Sequence, residues 1–245
     1  MIAAITAGGR ADSRLASATG TATKALTSIA GTALLDAAID AARAAGARRT
    51  VVVGDEHVRR HCELRVDGVV PAAVDGRENL RRALGEANED EALLLLSSDL
   101  PFVRGPHVAA FLRSARGADV ALPLASAEQY ERTFPKAPPH ATRLGKENVV
   151  NGSVVLFGPG AAMQARALAE RLFAARKSRL SMARLLGPQL LMRFICGMLQ
   201  IADIEARAYE HMRLKARAVR DAAPELCFDI DGIEDYRYAL AYAGR

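Results

Sequence analysis

Ile2-Ala3-Ala4-Ile5-Thr6-Ala7-Gly8-Gly9 is a short apolar run that stops at three small residues, and Thr23-Lys24-Ala25-Leu26 brings a lysine back within one loop of it. Read as a strand, Ile2 to Thr6 ends where successive backbone N–H groups are unshielded. An anionic phosphate can then approach main chain that a Cβ would otherwise block. The lysine adds a full charge to those dipoles. No Gly-Lys-Ser or Gly-Lys-Thr follows the glycines, so the Walker form of the phosphate loop is excluded. The amides of Ala7, Gly8, Gly9 and Arg10, together with Lys24, are the candidate polyphosphate ligands.

Outward from this strand, short β-like runs alternate with helical ones. Leu34 to Ala45 reads as an alanine-rich helix ended by Gly46, and Thr50 to Val53 as a β-branched strand closed by Gly54. Val69-Val70, Leu93 to Leu96 and Val120 to Leu122 read as further strands, with helices over Glu78 to Ala87 and Gly105 to Arg116 between them. A run such as Leu93-Leu94-Leu95-Leu96, apolar at every position, requires cover on both faces. That means an α/β fold with a mostly parallel sheet between helices. From Pro123 to Val150 the rhythm fails, and residues 123–150 are expected to form a long loop or small subdomain within one domain spanning 1–245. Beyond it the sequence reads as a strand at Val154 to Phe157 and helices at Ala161 to Ala175, Ser178 to Leu186 and Ala202 to Met212. Strands at Leu214 to Val219 and Leu226 to Phe228 and a closing helix from Ile233 to Tyr242 complete the chain.

Composition narrows the function classes. With 245 residues, half of them apolar, the chain can bury a full core. Its net charge of +5 comes with a local basic cluster, Arg166, Arg171, Arg176, Lys177, Arg179 and Arg184. Such a cluster can hold an anionic substrate or nucleic acid, and more often is a solvated helix face, the reading taken here. Three scattered cysteines, Cys62, Cys196 and Cys227, cannot build a disulfide framework. No leader is seen, and the most apolar stretch, Leu190 to Ile201, is short and interrupted by Arg193 and Gln200. A soluble cytoplasmic protein without a membrane partner is expected, with a homo-oligomer left open.

Ligands of open α/β sheets sit outside the carboxyl ends of the strands. The segments there include Ser97-Ser98-Asp99 and Asp229-Ile230-Asp231. A hard divalent ion takes oxygen ligands, commonly one or two carboxylates with substrate phosphates and waters. Asp99 and Asp229 supply such a pair if the last strand lies beside the Leu93 strand, with Asp231 as the substitute. Each of these aspartates also suits a helix N-cap. His57, His61 and Cys62 have ligand-like spacing but lie in a charged run that reads as surface, whereas His140 is better placed for substrate.

Taken together, the motifs resemble the nucleotidyltransferases that include molybdenum cofactor guanylyltransferase (MobA-like), the isoprenoid cytidylyltransferases and the sugar-phosphate nucleotidyltransferases. The residues carrying the resemblance are Ala7-Gly8-Gly9, Thr23-Lys24-Ala25-Leu26, Ile29-Ala30-Gly31-Thr32-Ala33-Leu34, Ser98-Asp99-Leu100-Pro101-Phe102 and Asp229-Ile230-Asp231-Gly232-Ile233-Glu234-Asp235-Tyr236, in family order. Thr23 stands where relatives have proline, and Arg14 comes one place later than the loop arginine of relatives. The resemblance implies a Rossmann-like three-layer α/β/α domain with a mostly parallel mixed sheet of the glycosyltransferase-A type. It also implies magnesium at Asp99 and Asp229, a base contact from Asn79, and acceptor contacts from Asn151 and Gly152. The implied reaction moves a nucleoside monophosphate from an NTP to a phosphorylated small-molecule acceptor and releases pyrophosphate. Two alternatives share the architecture: a glycosyltransferase using a nucleotide-sugar donor, and a non-catalytic nucleotide-binding protein.

Overall fold

Ile2, Ala3, Ala4 and Ile5 are all buried, and burial on both faces makes their strand an interior one. In the computed structural model of the chain, which describes residues 1–166 and 187–244, this is β1 (Ile2–Thr6). After it come α1 (Ser13–Thr19), a two-residue ribbon of β2 (Ser28–Ile29) and β3 (Thr32–Ala33), α2 (Leu34–Ala44) and β4 (Arg49–Gly54). The chain continues through α3 (Glu56–Cys62), β5 (Gly68–Pro71), α4 (Gly76–Leu84), β6 (Leu93–Ser97), α5 (Gly105–Ser114) and β7 (Val120–Ser126). Next are α6 (Ala127–Thr133), β8 (Thr142–Leu144), β9 (Glu147–Asn151) and β10 (Val154–Phe157). The last elements are α7 (Pro188–Ile195), α8 (Ile201–Met212), β11 (Ala216–Val219) and α9 (Ile233–Ala243). The expected helix Ser178 to Leu186, the end of Ala161 to Ala175, and the basic cluster after Arg166 lie outside the described residues.

The sheet order is β5-β4-β1-β6-β10-β7-β9-β8, with β11 also paired to β7. β1 runs parallel to β4 and β6, β4 parallel to β5, and β7 parallel to β11, while β10 is antiparallel to both β6 and β7. The sheet is mixed and mostly parallel, as expected. Its faces divide the apolar residues by period two. Ala3, Ile5, Leu94 and Leu96 pack with Leu35, Ala38 and Ile39 of α2 and Val108 and Phe111 of α5. Ile2, Ala4 and Leu93 pack the other way, against Ala83 and Leu84 of α4 and Ala161 and Ala165. α2 suits its place because Leu34, Leu35, Ala38, Ile39, Ala41 and Ala42 form one buried stripe.

Of the two forms expected for residues 123–150, a long loop or a small subdomain, the loop is corrected by regular elements: β7 runs on to Ser126, α6 follows behind a Ser126–Gln129 capping box, and the β8–β9 hairpin pairs back through Leu124↔Asn151. Leu226 to Phe228 is not a strand. Pro224 starts a 3-10 turn over Pro224–Leu226, closed by the Cys227 N–H donating to the Pro224 carbonyl at 2.8 Å. The segment still reaches the sheet, because the Ile230 N–H donates to the Asp99 carbonyl at 3.0 Å. A third cluster holds it there: Phe228 and Ile230 pack with Leu15, Tyr130 and Phe134, and Phe102 stacks on Phe134 at 5.3 Å. No helix among the described residues is long and apolar enough to cross a membrane.

Candidate active site

The chain leaves β1 toward β4 on one side and later returns to β6 on the other, so the crevice beyond their carboxyl ends is a topological switch point. Thr6 pairs with Ser97 there, which sets Ala7-Gly8-Gly9 beside Ser98-Asp99. A cleft of about 680 Å³ opens at this point, lined by Gly8, Gly9, Arg10, Lys24, Ala72, Ala73, Asn79, Ser97, Ser98 and Asp99 among others. That volume suits a nucleotide-sized ligand.

The glycine turn supplies donors, although one fewer than expected. Ala7 is fully buried and its N–H donates to the Val53 carbonyl at 2.8 Å, so its amide belongs to the sheet. The N–H groups of Gly8, Gly9 and Arg10 donate to no backbone acceptor among the described residues. A Cβ at Gly8 would lie 2.7 Å from Asn79 Nδ2, so close approach requires glycine there. Lys24 is held beside this turn by main chain: its N–H donates to the Gly9 carbonyl at 3.1 Å, next to a bridge between Arg10 and Thr23. The residues between fold into α1, with Asp12 capping the Leu15 N–H at 2.8 Å.

The expected acids converge. Carboxylate oxygens of Asp99, Asp229 and Asp231 lie within 4.8 Å of one another, and Lys24 Nζ stands 2.8 Å from Asp99 and 3.1 Å from Asp231. Lys24 and Asp99 are 13% and 15% exposed, whereas Asp231 is 72% exposed. Burial pulls the Lys24 ammonium down, but Asp99 and Asp231 outweigh it and hold its pKa above the usual lysine value. Burial, then the charges of Asp99 and Asp231, push the Asp229 carboxyl upward. Asp99 Oδ1 is buried and has no hydrogen-bond partner among the described residues, a cost that an added oxygen-seeking cation removes. The set therefore fits a hard divalent ion.

A family model described as the MobA-like NTP transferase domain matches residues 3–195. This chain belongs to the MobA-like NTP transferase domain family. Among solved structures, a hypothetical transferase from Thermus thermophilus matches with 29% identity and a TM-score of 0.83, covering 96% of this chain and 98% of that one. A CMP:2-keto-3-deoxy-manno-octonic acid synthetase complexed with CTP has 14% identity and a TM-score of 0.59, covering 100% and 99%. The 2-C-methyl-D-erythritol 4-phosphate cytidylyltransferase from Thermus thermophilus has 16% identity and a TM-score of 0.53, covering 100% and 98%. At those identities the last two show the fold alone, that of nucleotidyltransferases of the nucleotide-diphospho-sugar transferase type. A search of the curated proteins gave no match.

The remaining expected residues of this MobA-like domain are spread around the cleft and beyond it. Asn79 lines the cleft, yet its amide closes on Ala73, accepting from its N–H at 2.6 Å and donating to its carbonyl at 3.0 Å. That pairing fixes the Ala73 backbone in the cleft wall. Gly152 is packed, not open: a Cβ would meet Pro123 Cγ at 2.5 Å and the Leu226 carbonyl at 2.6 Å. Asn151 is exposed at the end of β9. Arg14 lines a separate hollow with Glu234 and Arg237, away from the cleft. Cys62 points into the core with its thiol pushed up to about 11 by burial, while His61 meets Asp36 at 3.0 Å, so the His57-His61-Cys62 spacing is not a ligand set.

Two supporting groups were missed. Ser153 Oγ donates to Asp229 Oδ2 at 2.8 Å. Asp235 Oδ2 accepts from the N–H groups of Asp231 and Gly232 at 3.0 and 2.9 Å, and its Oδ1 meets His140 Nε2 at 3.3 Å. The position of Asp235 three residues into α9 was a legible capping signal. His140 is thus engaged with the acidic turn. At Thr23 the hydroxyl that replaces the relatives' proline donates to Asp55 Oδ2 at 3.3 Å, tying the lysine segment to the N-cap of α3.

Proposed function

We propose that this protein transfers a nucleoside monophosphate from a nucleoside triphosphate to a phosphorylated small-molecule acceptor. The observation that carries the reading is the meeting of Lys24 with Asp99, Asp229 and Asp231 at the mouth of a cleft floored by the free amides of Gly8 to Arg10. An acceptor phosphate oxygen forms a bond to the α-phosphorus while the bond from that phosphorus to the bridging oxygen breaks, and pyrophosphate leaves with the electron pair. Little covalent work falls to the protein, which must hold the in-line geometry and offset charge. The amides of Gly8, Gly9 and Arg10 bind the phosphates, and Lys24 neutralises charge that grows on the α-phosphate and pyrophosphate. Asp99 and Asp229, with Asp231, would hold a divalent ion, here assigned as magnesium, and that ion would supply further neutralisation of the polyphosphate. The Ala72–Val74 segment, held by Asn79, forms the base wall, and Asn151 with the β8–β9 side faces the acceptor.

Pyrophosphate release from a panel of nucleoside triphosphates, with and without sugar phosphates and other phosphorylated acceptors, tests this. Release that requires an acceptor supports transfer. Nucleotide binding without turnover would point to a sensing protein, and turnover only from nucleotide sugars to a glycosyltransferase.

A further inference from the structure

The Lys24 ammonium pairs with two of the three carboxylates that a shared cation would use. It is 2.8 Å from Asp99 and 3.1 Å from Asp231, and these two carboxylates with Asp229 offer oxygens within 4.8 Å of one another. Three carboxylates that close repel one another strongly, and one buried ammonium relieves that repulsion. A divalent ion held by the same three carboxylates would sit within a few ångströms of this like charge and be repelled by it. We infer that Lys24 is the acid cluster's own counter-ion, which the divalent ion must displace, so that metal binding itself frees the ammonium for the polyphosphate.

This rests on the metal reading of the three aspartates and adds an ordered exchange to it. Lys24 has somewhere to go. Its Cδ lies 3.8 Å from where a Gly9 Cβ would stand, so the side chain runs beside the glycine turn, and rotation about its outer bonds can carry the ammonium toward the amides of Gly8 to Arg10 without moving main chain. Metal and nucleotide then bind cooperatively: each removes one of the two partners that compete for Lys24, the metal by taking the carboxylates and the nucleotide by taking the ammonium.

The test is manganese binding without nucleotide, read by electron paramagnetic resonance on wild type, Lys24→Met and Lys24→Gln. The glutamine variant keeps a hydrogen-bond donor among the acids and guards against loss of folding in the methionine variant. Removing the ammonium should tighten manganese binding at least about tenfold, although the same substitutions impair turnover. Equal or weaker binding in a folded Lys24 variant overturns the exchange. Asp99→Asn separates the two ideas: if it abolishes manganese binding while the Lys24 variants bind no tighter, the site stands and the exchange fails. If manganese binding is indifferent to Asp99→Asn, the metal reading fails and the exchange with it.

Discussion

One buried ammonium between two aspartates sets the first expectation. Lys24→Ala and Asp99→Ala should each lower turnover by at least about a hundredfold, the scale of losing one preorganised electrostatic group. Circular dichroism should show the fold retained, because both side chains stand at the cleft and not in the apolar clusters. Ser153→Ala removes the hydroxyl that donates to Asp229. Metal affinity measured by titration calorimetry should fall by about tenfold, as when a partner behind a metal ligand is lost; unchanged affinity would show that Asp229 needs no such restraint. Lys24 and Asp99 were legible because their neighbours, Gly-Gly and Leu-Pro-Phe, carry conformational information. Ser153 was not. A search confined to residues that follow strands passes over a serine that precedes one, and β10 is antiparallel, so its beginning and not its end faces the crevice.

At the level of elements, the loop that carries His140 is tied to the N-terminus of α9 by Asp235. The Asp235 hydrogen bond holds the His140 imidazole above its ordinary 6.5 in spite of burial. Burial raises the Asp235 carboxyl, but His140 and the Gly232 and Asp231 amides outweigh it and leave it below 3.8. A raised imidazole stabilises fully below its unfolded value and loses that contribution as pH rises through the folded one. A depressed carboxylate contributes above its unfolded value and loses it as pH falls through the folded one. The pair therefore works between the two. His140→Gln should cost about 1 kcal/mol near pH 6 and almost nothing near pH 9, seen as a melting-temperature gap of about 2–4 °C that closes with pH. A gap of constant size would mean packing, not charge. Gly152→Ala belongs here too: its methyl would drive β7 at Pro123 away from the Leu226 turn, and it should destabilise by about 1–3 kcal/mol in denaturant titration.

For the whole molecule, sheet and layers were readable because runs such as Leu93 to Leu96 tolerate only cover on both sides, and α2 shows an unambiguous stripe. Strand direction was not readable. Four residues of β10 are equally apolar either way, and nothing in them says that they insert antiparallel between β6 and β7. The β8–β9 hairpin escaped because its polar strands lack an apolar period and its turn at Gly145 lies within a charged segment. Ligand that binds only the folded form must raise its stability, by about 2.7 kcal/mol at a hundredfold excess over Kd. A nucleoside triphosphate with magnesium at that level should lift the melting temperature by about 5–10 °C, and Asp99→Asn should respond much less. The Arg10–Thr23 bridge has a consequence of another kind. Residues 11–22 form a lobe closed at its neck, and Leu15 within it packs against Phe228 and Ile230, so the lobe braces the lysine segment and the acidic turn together from outside the crevice. Ser17 and Ala18 on the lobe's exposed side offer a port for grafting a probe beside the crevice without disturbing that contact.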